Sequence, residues 1–180
     1  AEAKTFRYAT TGDVLGLDPH ANNEGPTNTM KGNLYGRLLH RKADLSLEPD
    51  LATKWEKLDA TSWRFSLRQG VKFHNGNDFN ADDVLFSYKR QTQESSDMSF
   101  ALATIEELRK VDDYTIDIIT KGPDPILLLN MPIFYIVDKE WTEANNAFEV
   151  VRASGSTNFA NVNTNGTCLL YTSDAAAARS

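Results

Sequence analysis

Hydrophobic and polar residues alternate most cleanly along Ser62–Arg68, where Trp63, Phe65 and Leu67 stand against Arg64, Ser66 and Arg68. Side chains of an extended chain point alternately to opposite faces, so this period marks a strand buried on one side. The preceding run LATKWEKLD, from Leu51 to Asp59, reads as its partner strand, with Asp59-Ala60-Thr61 as the turn. Trp55 and Trp63 fall inside these alternating runs, and core packing is expected for both rather than stacking on a ligand. Tyr114–Thr120 repeats the design: Tyr114, Ile116 and Ile118 lie on one side, and Thr115, Asp117 and Thr120 take polar or edge positions. It pairs with Ile105–Asp113, which makes the adjacent Asp112 and Asp113 a turn rather than a working pair of carboxylates. Two hairpins in one mixed or antiparallel sheet are predicted.

Outside the hairpins the pattern changes period. FRYAT, from Phe6 to Thr10, has the alternation of a short strand, and TGDVLGLDPHANNEGPTN after it is rich in Gly, Pro, Asn and Asp, which predicts a long loop. From about Asn28 to Leu39 the residues Met30, Leu34, Tyr35, Leu38 and Leu39 recur at helical spacing. That spacing predicts an amphipathic helix with its apolar face inward, capped by Asn28 or Thr27 and ended by His40. Between the hairpins, RQG and HNGN are turn sequences, because Gly70 and Gly76 can take the positive φ a tight turn requires. Asn80-Ala81-Asp82-Asp83 reads as a helix start: the Asn80 side chain can accept from free N–H groups of the first turn, and the aspartates sit where the helix dipole favours negative charge. Val84, Leu85 and Tyr88 form the inward stripe of that helix.

Composition narrows the function classes. The 180 residues, 41% hydrophobic and 24% charged, are those of a globular protein with a sizeable core, and no run approaches the apolar length of a membrane span. A net charge of -6 argues against a nucleic-acid partner, since phosphate binding normally shows as a basic face. The lone Cys168 excludes an internal disulfide and a multi-cysteine metal site. The opening AEAKTFRYAT has neither an initiator methionine nor a basic-then-apolar signal run, as expected of a mature exported protein.

The central stretch LEPDLATKWEKLDATSWRFSLRQGVKFHNGNDFNADDVLFSYKR, Leu47 to Arg90, resembles the signature region of the family 5 solute-binding proteins of ATP-binding cassette (ABC) importers, the dipeptide, oligopeptide and nickel binders. Pro49, Leu51, Ala52 and Trp55 match that family's P-x-L-A-x-x-W strand. Leu67, Arg68, Gly70 to His74 and Gly76 match its L-R-x-G-V-K-F-H-x-G turn, and Phe79, Ala81, Asp83, Val84, Phe86 and Ser87 its F-x-A-x-D-V-x-F-S helix. LDPH at Leu17–His20, LYGRLL at Leu34–Leu39 and VDDYTIDIIT extend the resemblance over residues 5–167. The family's pattern then runs on as G-T-G-P-aromatic, whereas Gly166 and Thr167 are here followed by CLLYTSDAAAARS.

The resemblance implies a mixed α/β (α+β) fold of the type II periplasmic-binding-protein kind, with this chain expected to be an N-terminal lobe, cut short, and its smaller subdomain. Residues 1–40 are expected to begin the first lobe, 41–152 to form the smaller α+β subdomain, 153–167 to return to the first lobe, and 168–180 to be a non-native tail, disordered or at most a frayed helix. It also implies an exported periplasmic monomer that captures short peptides or similar solutes by closing two lobes and hands them to permease subunits. Membrane contact would come only through the permease or a lost lipid anchor, and no cofactor, metal or catalytic residue is called for.

Most anchors of such a ligand would lie beyond this sequence. Within it, Thr11, Asn23, Glu24, Gly25 and Thr27 are the expected cleft-lining residues, because polar side chains and free N–H groups near a helix start suit a peptide backbone or an anion. Turn and cap residues would look the same. A second reading, a metal-dependent hydrolase built from His20, His40, His74 and aspartates, stays open by residue type. It lacks ligand spacing: His74 has no helix-borne partner at the i, i+4 spacing, and no G-x-S-x-G, H-E-x-x-H or phosphate-loop pattern occurs. A third is an interaction fragment with an exposed sheet edge.

Overall fold

The alternating segments do form one sheet. In the computed structural model, which describes residues 12–152 and 158–167, strands β3 (Ala52–Lys57), β4 (Ser62–Leu67), β5 (Ile105–Asp112) and β6 (Thr115–Thr120) lie antiparallel in the order β3-β4-β6-β5. The register sets Trp55 opposite Phe65, Phe65 opposite Ile116, and Leu108 opposite Ile118. A slip of one residue would turn every one of these side chains to the other face. Phe65, Ile116 and Ile118 are fully buried, and Trp55 and Trp63 pack half-buried against the same core. On the polar side, Arg64 faces Asp117 in a bidentate pair at 2.7 and 2.8 Å.

Helix α2 (Ala81–Gln91) packs on the sheet beside β5. Its start follows the sequence: Asn80 Oδ1 accepts from Asp82 N–H at 2.7 Å, and Asp83 Oδ2 accepts from Asn80 N–H at 2.9 Å, a reciprocal cap. Val84 is fully buried, while Leu85 and Tyr88 are half-buried against the core. Gly70 and Gly76 take φ of 73° and 96°. A two-stranded ribbon, β1 (Leu39–Arg41) with β2 (Leu47–Pro49), precedes the sheet; short helices α3 (Leu127–Asn130), α4 (Lys139–Ala144) and α5 (Phe159–Val162) follow it. No helix among the described residues is long and apolar enough to cross a membrane.

The first helix differs from its sequence reading. Helix α1 spans Gly25–Leu34, its cap is Glu24 rather than Asn28 or Thr27, and Tyr35 is already extended at φ -115°, ψ 135°. Its buried residues are Thr27 and Lys31, whereas Met30 is 38% exposed, so the face turned inward is polar. Leu38 and Leu39 are fully buried, but Leu39 opens strand β1, and His40 is a strand residue rather than a helix end. The cause lies beyond Leu34. A Cβ on Gly36 would stand 2.4 Å from Thr167 Oγ1, and one on Gly166 would stand 1.8 Å from the Leu34 carbonyl oxygen. These glycines let residues 34–36 and 166–167 run in contact. There the chain is held extended, with Gly36 N–H donating to Thr167 Oγ1 and Ile136 N–H donating to the Gly36 carbonyl. The FRYAT strand and the 168–180 tail lie outside the described residues.

Candidate functional site

Residues 13–24, ahead of α1, have no helix or strand, so the backbone groups they bury need partners from elsewhere in the fold. Ser96 Oγ donates to the His20 carbonyl at 2.8 Å, Asp97 N–H reaches the Ala21 carbonyl at 3.5 Å, and the Lys31 ammonium donates to the Asn22 carbonyl. Leu15 N–H donates to Thr27 Oγ1 at 3.0 Å, Leu17 N–H donates to the Asn161 carbonyl at 3.0 Å, and the Tyr35 hydroxyl donates to the Leu17 carbonyl at 3.2 Å. The loop is thereby fixed to α1, to the segment after α2 and to α5.

Its base holds a buried ion pair. Arg90 on α2, 1% exposed, donates to both carboxylate oxygens of Asp18 at 2.8 and 2.6 Å, and its Nε donates to the Ala147 carbonyl at 3.0 Å. His20 lies against the same guanidinium. Its Nε2 donates to the Tyr135 carbonyl at 3.0 Å, which leaves Nδ1 to accept from Arg90 at 3.0 Å. Burial, with Arg90 beside it, pushes the His20 pKa down to about 3, so the ring is neutral. Burial would raise the Asp18 carboxyl, but the hydrogen bonds and charge of Arg90 outweigh it and hold the group below its ordinary value. Fully paired buried charge of this kind specifies one geometry for the loop.

Of the five expected site residues, Thr11 lies outside the described residues. Asn23 and Gly25 are exposed at the loop tip and Glu24 is half-buried. Thr27 is fully buried, with its hydroxyl bonded to Leu15, so it shapes the loop from beneath and presents no surface. The helix start offers fewer donors than its sequence suggests. Pro26 has no N–H, Thr27 N–H donates to Glu24 Oε1 at 3.0 Å, and Asn28 N–H donates to the Glu24 carbonyl. A carboxylate already occupies the positive end of the helix, so the tip disfavours a second anion and favours a ligand bringing N–H or ammonium donors. Lys31, Asp18 and Arg90, which build the loop, carried no local signal of this role. The one trace is on α2, where the buried polar residues Asp83, Ser87 and Arg90 fall at i, i+4 and i+7, on one face.

The histidines of the hydrolase reading are not brought together. His20 is bonded as above, His40 Nδ1 meets Arg37 at 3.1 Å, and His74 Nδ1 accepts from Gly166 N–H at 3.3 Å. Among the described residues the group with metal-like spacing is Asp83, Asp138 and Glu140, whose oxygens lie within 4.8 Å of one another. Two of these carboxylates are already filled by N–H donors. Asp83 accepts from Asn80 and Lys139 backbone N–H groups at 2.9 and 3.0 Å. Asp138 accepts from Trp141 N–H and from the side-chain amides of Asn75, Asn77 and Asn165, the last three each at 2.8 Å. This network ties the HNGN turn and residue 165 to the start of α4. A concavity of about 370 Å³ beside Arg37, His40, Glu48, Asp50 and Arg68 is lined by groups that largely pair with one another. Arg37 N–H donates to Asp50 Oδ2 at 3.2 Å and Arg68 Nε to the Asp50 carbonyl, while the buried Arg37 Nε, 3.6 Å from Asp50, makes no hydrogen bond among the described residues.

Residues 46–167 match the family of bacterial extracellular solute-binding proteins, family 5 Middle. The chain is 34% identical over 155 residues to heme-binding protein A of Haemophilus influenzae, an alignment covering 73% of this chain and 28% of that protein. It is 30% identical over 167 residues to the dipeptide-binding protein of Escherichia coli, covering 79% of this chain and 31% of that one. In structure it is similar to the ABC transporter-associated periplasmic binding protein DppA of Helicobacter pylori, solved in complex with the peptide STSA, at TM-score 0.68 and 29% identity over 76% of this chain and 32% of that chain. The chain thus spans under a third of the length of these relatives.

Proposed function

This chain belongs to the bacterial extracellular solute-binding proteins of family 5, and from that premise we propose that it is the N-terminal part of the substrate-binding component of an ABC importer, contributing the Asn23–Gly25 tip to a cleft that captures short peptides. In this reading the protein is a periplasmic monomer that binds without chemical conversion, closes a second lobe over the ligand and delivers it to permease subunits. Residues 41–152 act as a smaller subdomain beside the cleft, and residues 1–40 and 153–167 belong to the lobe that carries it.

The observation that carries this reading is the construction of the loop: an exposed polar tip on a base with buried, paired charges and fixed carbonyls. Such a scaffold holds a few polar groups in place against a ligand at little ordering cost on binding. Glu24 supplies an acceptor for a main-chain N–H or a terminal ammonium, and the exposed Gly25 supplies a donor for a carbonyl. The dipeptide-binding protein and the peptide-bound DppA support peptide as the solute class. Titrating a mixed di- to pentapeptide pool into the labelled chain, up to the millimolar range, while following backbone amide resonances tests the assignment. Shifts centred on Asn23, Glu24 and Gly25 are expected; shifts centred on the β1–β2 ribbon or on α3 would refute it.

A further inference from the structure

We propose that Lys31 is the positioning residue of this loop: its protonated side chain, reaching back from α1, holds the Asn22 carbonyl and so sets the orientation of the exposed Asn23–Gly25 tip. The inference rests on the tip being the ligand-contacting part of the chain, but the contact can be tested without a ligand.

Lys31 is 1% exposed. Its ammonium, with three donors, is given to the Asn22 carbonyl and, at 3.5 Å, to Asn28 Oδ1. No carboxylate among the described residues lies within ion-pair distance of it. A buried cation with only neutral acceptors is a poor choice for stability, and an apolar side chain of that length would be the cheaper filling for the site. What the lysine adds is a strong, directed donor at one backbone oxygen. The Asn22 oxygen and the Asn23 N–H belong to one planar peptide unit, so holding the oxygen orients the first exposed amide of the tip.

The surrounding charges have other duties. Asp18 in the loop is bidentate with Arg90 of α2, His20 is bonded to Tyr135 and Arg90, Glu24 caps α1, and Asp97, beyond α2, is paired with Arg152 at 2.8 Å. None of them reaches the Asn22 carbonyl in place of Lys31. Burial lowers the Lys31 pKa to about 8, with Asp18, Glu24 and Asp97 opposing the shift. The anchor therefore weakens in mild alkali, because a neutral amine makes a hydrogen bond roughly half as strong as an ammonium does.

Carbon-detected NMR of the full chain from pH 6.5 to 9.5 tests the contact directly. The Asn22 carbonyl resonance is expected to titrate with a midpoint near that of Lys31, about 8, and to lose that midpoint in Lys31→Arg, which keeps its charge throughout. At pH 6.5 the Asn23 and Glu24 amides should have order parameters of about 0.85 in the wild type and in Lys31→Arg, falling below about 0.6 in Lys31→Met. Sheet resonances of β4 and β6 report whether Lys31→Met is folded, and if it is not, the wild-type titration decides alone. An Asn22 carbonyl that stays still across the range, or a tip as rigid in folded Lys31→Met as in the wild type, would overturn the proposal.

Discussion

Arg90 is charged and 1% exposed, so removing its partner leaves a cation without compensation in the interior. Asp18→Asn is accordingly expected to cost about 3–5 kcal/mol of unfolding free energy, measured by urea denaturation; a loss within 1 kcal/mol, the range of an exposed pair, would mean that the pair does not secure the loop. Neither partner is readable locally, because 72 positions separate them and Asp18 looks like any turn residue before a proline. Asp83 supplies a pH signature. Burial in the presence of Glu140 and Asp138 raises its pKa from 3.8 to about 7, against the pull of two backbone N–H donors. The folded protein then keeps a proton that the unfolded chain releases, so the stabilisation from Asp83 is complete below 3.8 and lost as pH rises through about 7. His20 runs the other way: its contribution is complete above 6.5 and lost as pH falls toward about 3. Comparing unfolding free energies of wild type and Asp83→Asn cancels the His20 contribution. The wild type should gain on the variant between pH 8 and pH 6, and a difference independent of pH would contradict the raised pKa.

Among the elements, the sheet and α2 were legible because each buries one face and announces it at its own period, 2 along β4 and near 3.6 along α2. The Asn80 cap was legible for a similar reason: its donors are only a few residues away. Asn80→Ala should cost about 1 kcal/mol in a thermal or urea melt, and no measurable loss would mean that the reciprocal cap with Asp83 is not formed. Helix α1 was misplaced because Leu34, Tyr35, Leu38 and Leu39 continue a helical spacing that the fold does not use. The chain leaves the helix at Tyr35 to lie against residues 166 and 167, a contact made from the other end of the described chain. Gly166→Ala tests that contact. Its methyl would stand 1.8 Å from a backbone oxygen that cannot rotate away, so a loss of roughly 3 kcal/mol, the upper end of ordinary overpacking, is expected by denaturation. An unchanged midpoint would show that the 163–167 segment does not pack where the structure puts it.

At the scale of the whole molecule, the family was legible from the ordered match between Leu47 and Arg90, while the candidate site was legible only in its exposed tip. Asn23, Glu24 and Gly25 stand out as loop residues before a helix, but the groups that fix them, Lys31, Ser96 and Arg90, come from elements that only the fold brings near. The chain covers about 30% of its relatives' length, and in our account one lobe cannot enclose a ligand. A peptide lying on an open surface stays largely wet and still loses translational and conformational freedom, a cost of at least several kcal/mol. A few hydrogen bonds from the tip contribute roughly 0.5–1.5 kcal/mol each net of water, too little to offset that cost by a wide margin. Calorimetric titration of the 180-residue chain with mixed di- to pentapeptides is therefore the most direct test. Dissociation constants of about 1 mM or weaker are expected, and saturable binding at about 1 μM would place the principal recognition site within this chain and contradict closure by a second lobe.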